Sequence, residues 1–296
     1  MIKSHINAHK KVACLGTCSI DFISHVPRLA KSDDEVNVDE LHVYLGGSAS
    51  NFVTFLSRLG VNTSILAKVG NDKFGEISRK KLSQKGVDVT RLITIKGRTG
   101  MAFIAVDDEA ERSIYTYMGA NADFKLVKED IDYIKSLDLL HITGMYYEVV
   151  EEASKHANLL SFNPGSILSS FGLKKLDKII KRTHILFLNK KEVKLLTKMK
   201  IDDGARFLIE LGVPIVVVTL GKDGAMVYTS KGVVKTPAKP VKALDTTGAG
   251  DAFAAGFLAS FLKDQNFKDC LRFANQVAAQ CVENCGGTQI IISNIP

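Results

Sequence analysis

LDTTGAGDAFAA, residues 244–255, places three small residues ahead of a single acid, Asp251, and an apolar run begins at once. Phe253, Phe257 and Phe261 recur every four positions with Leu258 and Leu262 beside them, so a helix is predicted to start near 248–251 and to bury that face. Gly248, Ala249 and Gly250 carry little or no side chain, which lets a ligand come up to the backbone. The first N–H groups of a helix lack internal partners, and the positive end of the helix dipole adds to their pull on an anion. The dipole favours the ionised form of Asp251, which can then accept a proton. Donors around a moving phosphoryl group, with a carboxylate that orients and deprotonates the attacking hydroxyl, are the parts of phosphoryl transfer. The alternative is an acid that merely suits a helix start. Neither G-x-x-x-x-G-K-[ST] nor G-x-G-x-x-G is present here, since Phe253 stands where the third glycine of the latter belongs.

Outward from this stretch, short apolar runs alternate with amphipathic ones. Residues 11–15, 64–69, 137–142, 158–162, 184–188 and 214–220 read as strands. Residues 50–59 carry Phe52, Phe55, Leu56 and Leu59 at helical spacing, ended by Gly60, and 75–85 reads as a second helix. Strands alternating with helices predict a mostly parallel sheet covered on both faces. Two pieces break that rhythm. Residues 35–44 alternate with period two, as do 99–106, which lead through the acidic turn DDEAE into 112–118. These predict a strand plus a hairpin, antiparallel and exposed on one face. Set over the main domain they would form a flap that excludes water; the alternative is an edge extension of the main sheet.

With 296 residues, 46% of them hydrophobic, the chain has material for one large domain or two modest ones. No run reaches the ~18 apolar residues of a membrane helix, and the polar, basic start MIKSHINAHKK is no signal peptide. A cytoplasmic protein without a membrane partner is expected. The net charge of +7 comes from scattered lysines whose longest runs are pairs, and Trp is absent, so no nucleic-acid stripe is expected. The five cysteines include two C-x3-C pairs, Cys14 with Cys18 and Cys281 with Cys285. Neither has the usual C-x2-C metal spacing, and both pairs are expected in the core rather than on a metal.

The TTGAGD core with Asp245 before it closely resembles the C-terminal signature of the ribokinase-like carbohydrate kinases, the PfkB family. Gly46-Gly47-Ser48-Ala49-Ser50-Asn51 followed by Leu59-Gly60 resembles the N-terminal signature, Asn189-Lys190-Lys191-Glu192 the N-x-x-E element, and Thr219-Leu220-Gly221-Lys222-Asp223-Gly224 a fourth match. The order and spacing fit along nearly the whole chain. The resemblance implies an α/β fold, a ribokinase-like three-layer α/β/α domain with a mostly parallel central sheet plus a small β-sheet lid. The expected division is 1–20, 45–97 and 122–296 for the α/β domain and 21–44 and 98–121 for the lid. It implies ATP-dependent phosphorylation of a hydroxymethyl group, with Asp251 as base and the turn of Gly248, Ala249 and Gly250, with the N–H groups of 249–251, as anion hole. Gly46 and Gly47 would form a hinge near the substrate, and Asp21 and Asn51 would hydrogen-bond sugar hydroxyls, since a carboxylate or an amide can hold two at once. Asn189 and Glu192 would lie near Mg²⁺ through water; Thr219, Gly221 and Gly224 would line the nucleotide; Asn275 would lie near adenine. A monovalent cation such as K⁺ near Asp245 is common in the family. Each element keeps a plainer alternative: a turn at Gly46-Gly47, an ordinary first-turn residue at Asn51, a capping box at Asn189 and Glu192, a turn at Gly221 and Gly224, and solvation of Asn275.

Two features depart from the family pattern. Asn163-Pro164-Gly165 stands where many relatives carry Asp before Pro, which retunes the site if that position meets phosphate or metal-bound water. The sequence ends soon after Gly286-Gly287-Thr288, so the cover over the nucleotide is expected to be thinner. The segment around Asn163 and the LFLNKKE run look like the shorter archaeal nucleoside kinases of the family, and Phe103, Tyr115 and Tyr117 offer an aromatic face for a base or, alternatively, lid packing. The expectation is a nucleoside or ribose kinase acting on the 5′-hydroxyl. The alternatives are a kinase for fructose, a hexose phosphate or 2-keto-3-deoxygluconate, and a non-catalytic sugar or nucleotide sensor. A homodimer through exposed lid strands is a further expectation.

Overall fold

Runs such as VACLG at 12–16 and IVVVT at 215–219 are apolar at nearly every position, and strands of that composition need cover on both faces. The computed structural model describes residues 10–38, 40–109 and 111–283; Cys285 and Gly286-Gly287-Thr288 lie outside them. In chain order the elements are β1 (Val12–Gly16), β2 (Ser19–His25), β3 (Glu40–Gly46), α1 (Ser48–Arg58), β4 (Thr63–Gly70), α2 (Lys73–Gln84), β5 (Leu92–Ile95), β6 (Gly100–Val106) and β7 (Arg112–Tyr117). There follow α3 (Lys128–Lys135), β8 (Leu139–Thr143), α4 (Tyr147–Ser154), β9 (Leu160–Asn163), α5 (Gly165–Ser170), α6 (Gly172–Ile180), β10 (Ile185–Asn189), α7 (Lys190–Thr197), α8 (Ile201–Glu210), β11 (Ile215–Thr219), β12 (Ala225–Thr229), β13 (Gly232–Thr236), α9 (Ala249–Phe261) and α10 (Phe267–Val282).

The main sheet has nine strands in the order β13-β12-β11-β10-β9-β8-β1-β4-β5. The pairs from β5 to β11 are parallel; β12 and β13 add antiparallel strands at one edge. One face packs Cys14, Ile65, Phe187 and Val217 against α1, α9 and α10. The other packs Leu15, Ile142, Phe162 and Val218 against α3, α4, α6, α7 and α8. Alternate residues of one strand thus enter two separate cores. α9 was expected to bury a single face, yet every residue from Ala252 to Ser260 is buried. The cause is contact on two sides, with α1 and with α10, and the small Ala and Gly residues permit it: a Cβ on Gly256 would crowd Ala274 and Val277 of α10.

The second sheet has four strands, β3-β2-β6-β7. The expected strand and hairpin are β3 and β6–β7, and the strand between them, β2, was not read from the sequence. SIDFISH mixes polar and apolar residues on both faces, so no alternation marks it. β2 pairs antiparallel with β3 and parallel with β6. Among the described residues no helix is long and apolar enough to cross a membrane.

Candidate active site

The carboxyl ends of β1, β8, β9, β10 and β11 lie along one edge of the main sheet, where open α/β sheets form their ligand crevice. Over that edge stands α9. Its N-cap is Gly248, at φ 76°, a left-handed conformation that glycine adopts without a steric penalty. The first α9 turn has no side-chain cap. The helical ladder begins with Ala252 N donating to Gly248 O at 2.8 Å, and among the described residues the amides of Gly250 and Asp251 have no partner. The Ala249 amide, expected to be a third donor, instead closes a turn on Thr246 O at 3.3 Å. Nothing lies within 4 Å of where a Cβ on Gly250 would project, so the turn faces open space.

Asp251 sits in that turn. Asn51, on the first turn of α1, donates from Nδ2 to Asp251 Oδ2 at 3.3 Å. Burial pushes the Asp251 carboxyl up to about 7, the Asn51 bond pulls it back in part, and the charges of Asp21 and Glu192 push it further up. The sequence expectation that the dipole favours its ionised form is therefore corrected: loss of water and two neighbouring carboxylates outweigh the helix end. Asp21, at the base of β2 in the lid, is pushed up to about 6, mainly by burial and also by Asp245, while a bond from Ser19 Oγ at 3.1 Å lowers it. Gly46 lies directly against Asp21, and a Cβ there would overlap the carboxylate. Gly47 caps α1. Asn51 Oδ1 is buried with no partner among the described residues.

A cavity of ≈ 600 Å³ opens on the far side of the α9 turn. It brings together Thr219, Gly221, Gly224, Ala249, Gly250 and Asn275, six of the residues singled out from the sequence. Val241, Ala243, Phe253, Ala279 and Val282 supply an apolar wall that sequence reading missed. No motif marks 238–243, which reaches the cavity only through the fold. Asn275 is buried rather than solvated, its Nδ2 donating to Thr236 Oγ1 at 2.9 Å and Pro237 O at 3.0 Å. Asn189 and Glu192 do form a capping box: Glu192 N donates to Asn189 Oδ1 and Asn189 N to Glu192 Oε2, both at 2.9 Å. Burial raises the pKa of Glu192. Asn163 at the end of β9 uses Oδ1 to accept from Gly165 N at 3.1 Å.

Strand register separates the two faces of the lid. Tyr44 and Ala102 lie opposite Asp21, and His42 and Ile104 opposite Ile23. This inner face carries Asp21, Tyr44, His42, His25 and, opposite Val106, Arg112. Phe103 pairs with Phe22 and Tyr115, and Met101 with Tyr117, on the other face. The expected aromatic face for a base is thus corrected: Phe103, Tyr115 and Tyr117 point away from Asp21, and the inner aromatic pair is Tyr44 stacked on His42 at 5.7 Å. The same register puts Arg112 on the site side, where no sequence signal had marked it.

A nucleoside kinase of Methanothermobacter thermautotrophicus is 33% identical over 97% of this chain and 93% of its own. An ATP-dependent ribose-1-phosphate kinase of Halopiger xanaduensis is 31% identical over 91% and 90%. The crystal structure of a ribokinase from Thermotoga maritima superposes with a TM-score of 0.86 at 25% identity, covering 95% of each chain. The family model for pfkB carbohydrate kinases matches residues 9–293. The α9 turn, the lid above it and these likenesses agree: the chain belongs to the pfkB family of carbohydrate kinases, phosphotransferases with an alcohol group as acceptor.

Proposed function

We propose that this kinase uses ATP to phosphorylate the 5′-hydroxyl of a ribose-containing acceptor, a nucleoside or ribose. One observation carries the reading: Asp251 bonds to Asn51 beside two unpartnered amides, with lid residue Asp21 near enough to raise its pKa on one side and the ≈ 600 Å³ cavity on the other. Asp21 and Asn51 hold paired ribose hydroxyls. A hydroxyl donating to Asn51 Oδ1 removes the cost of a buried acceptor left without a partner. The acceptor oxygen attacks the terminal phosphorus of ATP and loses its proton to Asp251. The bond to the bridging oxygen breaks, and its electron pair leaves with ADP. The amides of Gly250 and Asp251 hold the phosphoryl oxygens, where donors already in place need no reorganisation. A carboxyl near 7 suits a base working at neutral pH.

ATP takes the cavity lined by Thr219, Gly221, Gly224 and Asn275, its base against the apolar wall. Among the described residues no three His, Cys, Asp or Glu side chains gather into a metal cage. That fits Mg²⁺ carried on the triphosphate, which keeps several waters and needs one or two carboxylates. Glu192, with Oε2 on the Asn189 amide, offers Oε1 to such a water. Bound there, Mg²⁺ would neutralise phosphate charge. K⁺ beside Asp245 belongs to the same proposal. The relatives named nucleoside kinase and ribose-1-phosphate kinase both support a ribose moiety and leave its 1-substituent as the finer question.

The test is a screen of nucleosides, ribose, ribose 1-phosphate and fructose with ATP and Mg²⁺, reading ADP release and the phosphorylated position. The expected result is turnover of a ribose compound at the 5′ position. Turnover confined to hexoses, or binding without turnover as in a sensor, rejects the reading. Asp251→Asn should lower kcat by about 10²–10⁴-fold while ATP binding persists, and wild-type kcat/KM should fall with unit slope below about pH 7.

A further inference from the structure

α1 begins beside Asp251 with Asn51 and ends at Arg58, about 10 Å of helix rise away from the site. There it meets the end of α2. Ser57 Oγ donates to Lys85 O at 2.7 Å, which ties the last turn of α1 to the C-cap of α2. Lys81 stands one turn before Lys85 on the same side of α2. Three cations, Arg58, Lys81 and Lys85, are thereby gathered at one junction, each of them half-buried.

Nothing offsets their charge. Among the described residues no carboxylate pairs with any of the three. The acid next in sequence, Asp88, is engaged elsewhere: it accepts from Thr90 N at 2.8 Å and from the Tyr133 hydroxyl at 3.4 Å. A helix end attracts cations through its free carbonyls, but here backbone amides already use them. Gly60 N donates to Ser57 O at 2.9 Å and Gly86 N to Ser83 O at 3.0 Å. Arg58 Nη1 is enclosed with no hydrogen-bond partner, while its other nitrogens and Lys85 Nζ are not among the enclosed atoms. Partly desolvated charges that face one another without a counter-ion are costly, and an arriving anion removes that cost.

The same surroundings change the chemistry of Lys85. A lysine is made nucleophilic by loss of water and by a neighbouring cation, because both favour the neutral amine. Burial acts first on Lys85, then the charges of Arg58 and Lys81, and no group opposes them; together they bring it from 10.5 down to about 8. Arg58 stays charged throughout and supplies planar donors for a phosphate.

We propose that Lys85 is an acylation site, at which a small acyl phosphate held by Arg58 and Lys81 passes its acyl group to Nζ. The neutral Nζ attacks the acyl carbon and a C–N bond forms. The bond from that carbon to the bridging oxygen breaks, and its electron pair leaves on inorganic phosphate. Nζ gives up one proton, nothing is oxidised or reduced, and a neutral amide replaces one of the three charges. The inference is independent of the kinase reading, and its test reads modification rather than turnover.

The experiment exposes the folded chain to acetyl phosphate and follows each lysine by mass spectrometry over time. At about pH 7.5 Lys85 should acylate about 10-fold faster than Lys80, an exposed lysine on the same helix. That advantage should vanish in urea, and Lys85 labelling should rise with pH through a midpoint of about 8. Inorganic phosphate, which competes for the same cations, should protect Lys85 and leave Lys80 unchanged. Arg58→Met removes one cation, so it should slow Lys85 at least about 3-fold and move the midpoint upward. Equal rates at Lys85 and Lys80, no protection by phosphate, or an Arg58→Met chain that acylates Lys85 at the wild-type rate would each overturn the proposal. If Arg58→Met fails to fold, the rate ratio and the phosphate protection, both measured on the wild type, still decide it.

Discussion

The nine-stranded sheet buries both of its faces, whereas the four-stranded lid buries one. β1 and β8 are buried at every position, but among the described residues of the lid only Ile23, Ala102 and Ile104 form a buried cluster of their own, with Tyr44 and Val106 against it. On the outer lid face Phe103 is 49% exposed and Tyr115 70%. The body can hold the α9 turn rigid from two cores. The lid has little core of its own and depends on what it covers, the usual property of an element that must open and close. Each half supplies what the other lacks: the body brings the unpartnered amides, Asp251 and the cavity proposed for ATP, and the lid brings Asp21.

The comparison is tested hardest at Asn51, where α1 meets both halves. Asn51→Ala removes the bond to Asp251 and the buried Oδ1 acceptor. Hydrogen bonds to charged groups are worth about 1.5–3 kcal/mol, so KM for the acceptor should rise about 10- to 100-fold, with KM for ATP within about 3-fold. Equal effects on both would place Asn51 on the nucleotide side and erase the division of labour between the halves.

The body was legible from the sequence because its signals are local. Phe253, Phe257 and Phe261 announce α9, and the small residues at 248–250 announce its open start without any knowledge of what lies opposite. The lid was not, because which side of a strand faces the site depends on register with a strand far away in the chain, and a shift of one residue exchanges the faces. For lack of that register Phe103, Tyr115 and Tyr117 could be read either as a face for a base or as lid packing, and Arg112, on the face that carries Asp21, had no signal to mark it. Asp245 to Asp251 could be read as chemistry; the row His25, Val106 and Arg112 could be read only once β2, β6 and β7 were aligned.

The outer face sharpens the contrast from the other direction. Phe22 stacks on Phe103 at 5.3 Å, and Val43, Leu41, Tyr115 and Tyr117 extend the same exposed apolar surface. A surface of that kind on one side of a sheet favours a partner, and the proposal is a second copy of this chain. Phe103→Glu combined with Tyr115→Glu should weaken the dimer at least about 10-fold, the equivalent of about 1.4 kcal/mol, as read by light scattering over a dilution series. A wild-type chain that is monomeric throughout that series would remove the dimer and leave the outer face as lid packing.

The smallest effect expected is on stability, and it belongs to the body. Asp251 is pushed up to about 7 in the folded protein from an ordinary carboxylate value of 3.8. A raised pKa means that the neutral form suits the fold. The associated stability is fully present below pH 3.8, declines as pH rises, and is lost once pH passes about 7. On the proposed mechanism, the ionised carboxylate is a stability cost retained for catalysis. Asp251→Asn is neutral at every pH and keeps the shape, so it should raise the melting temperature of the ligand-free protein at pH 8 by a few degrees, at about 2–4 °C for each kcal/mol recovered, and change it little at pH 4. Asp21, pushed up to about 6, should give the same sign over a lower window in Asp21→Asn. Its shift in melting temperature should be smaller still if the lid opens before the body melts. A lid mutant that matched the body mutant degree for degree would mean that the two sheets unfold as one unit, and the contrast between them would then be one of surface alone.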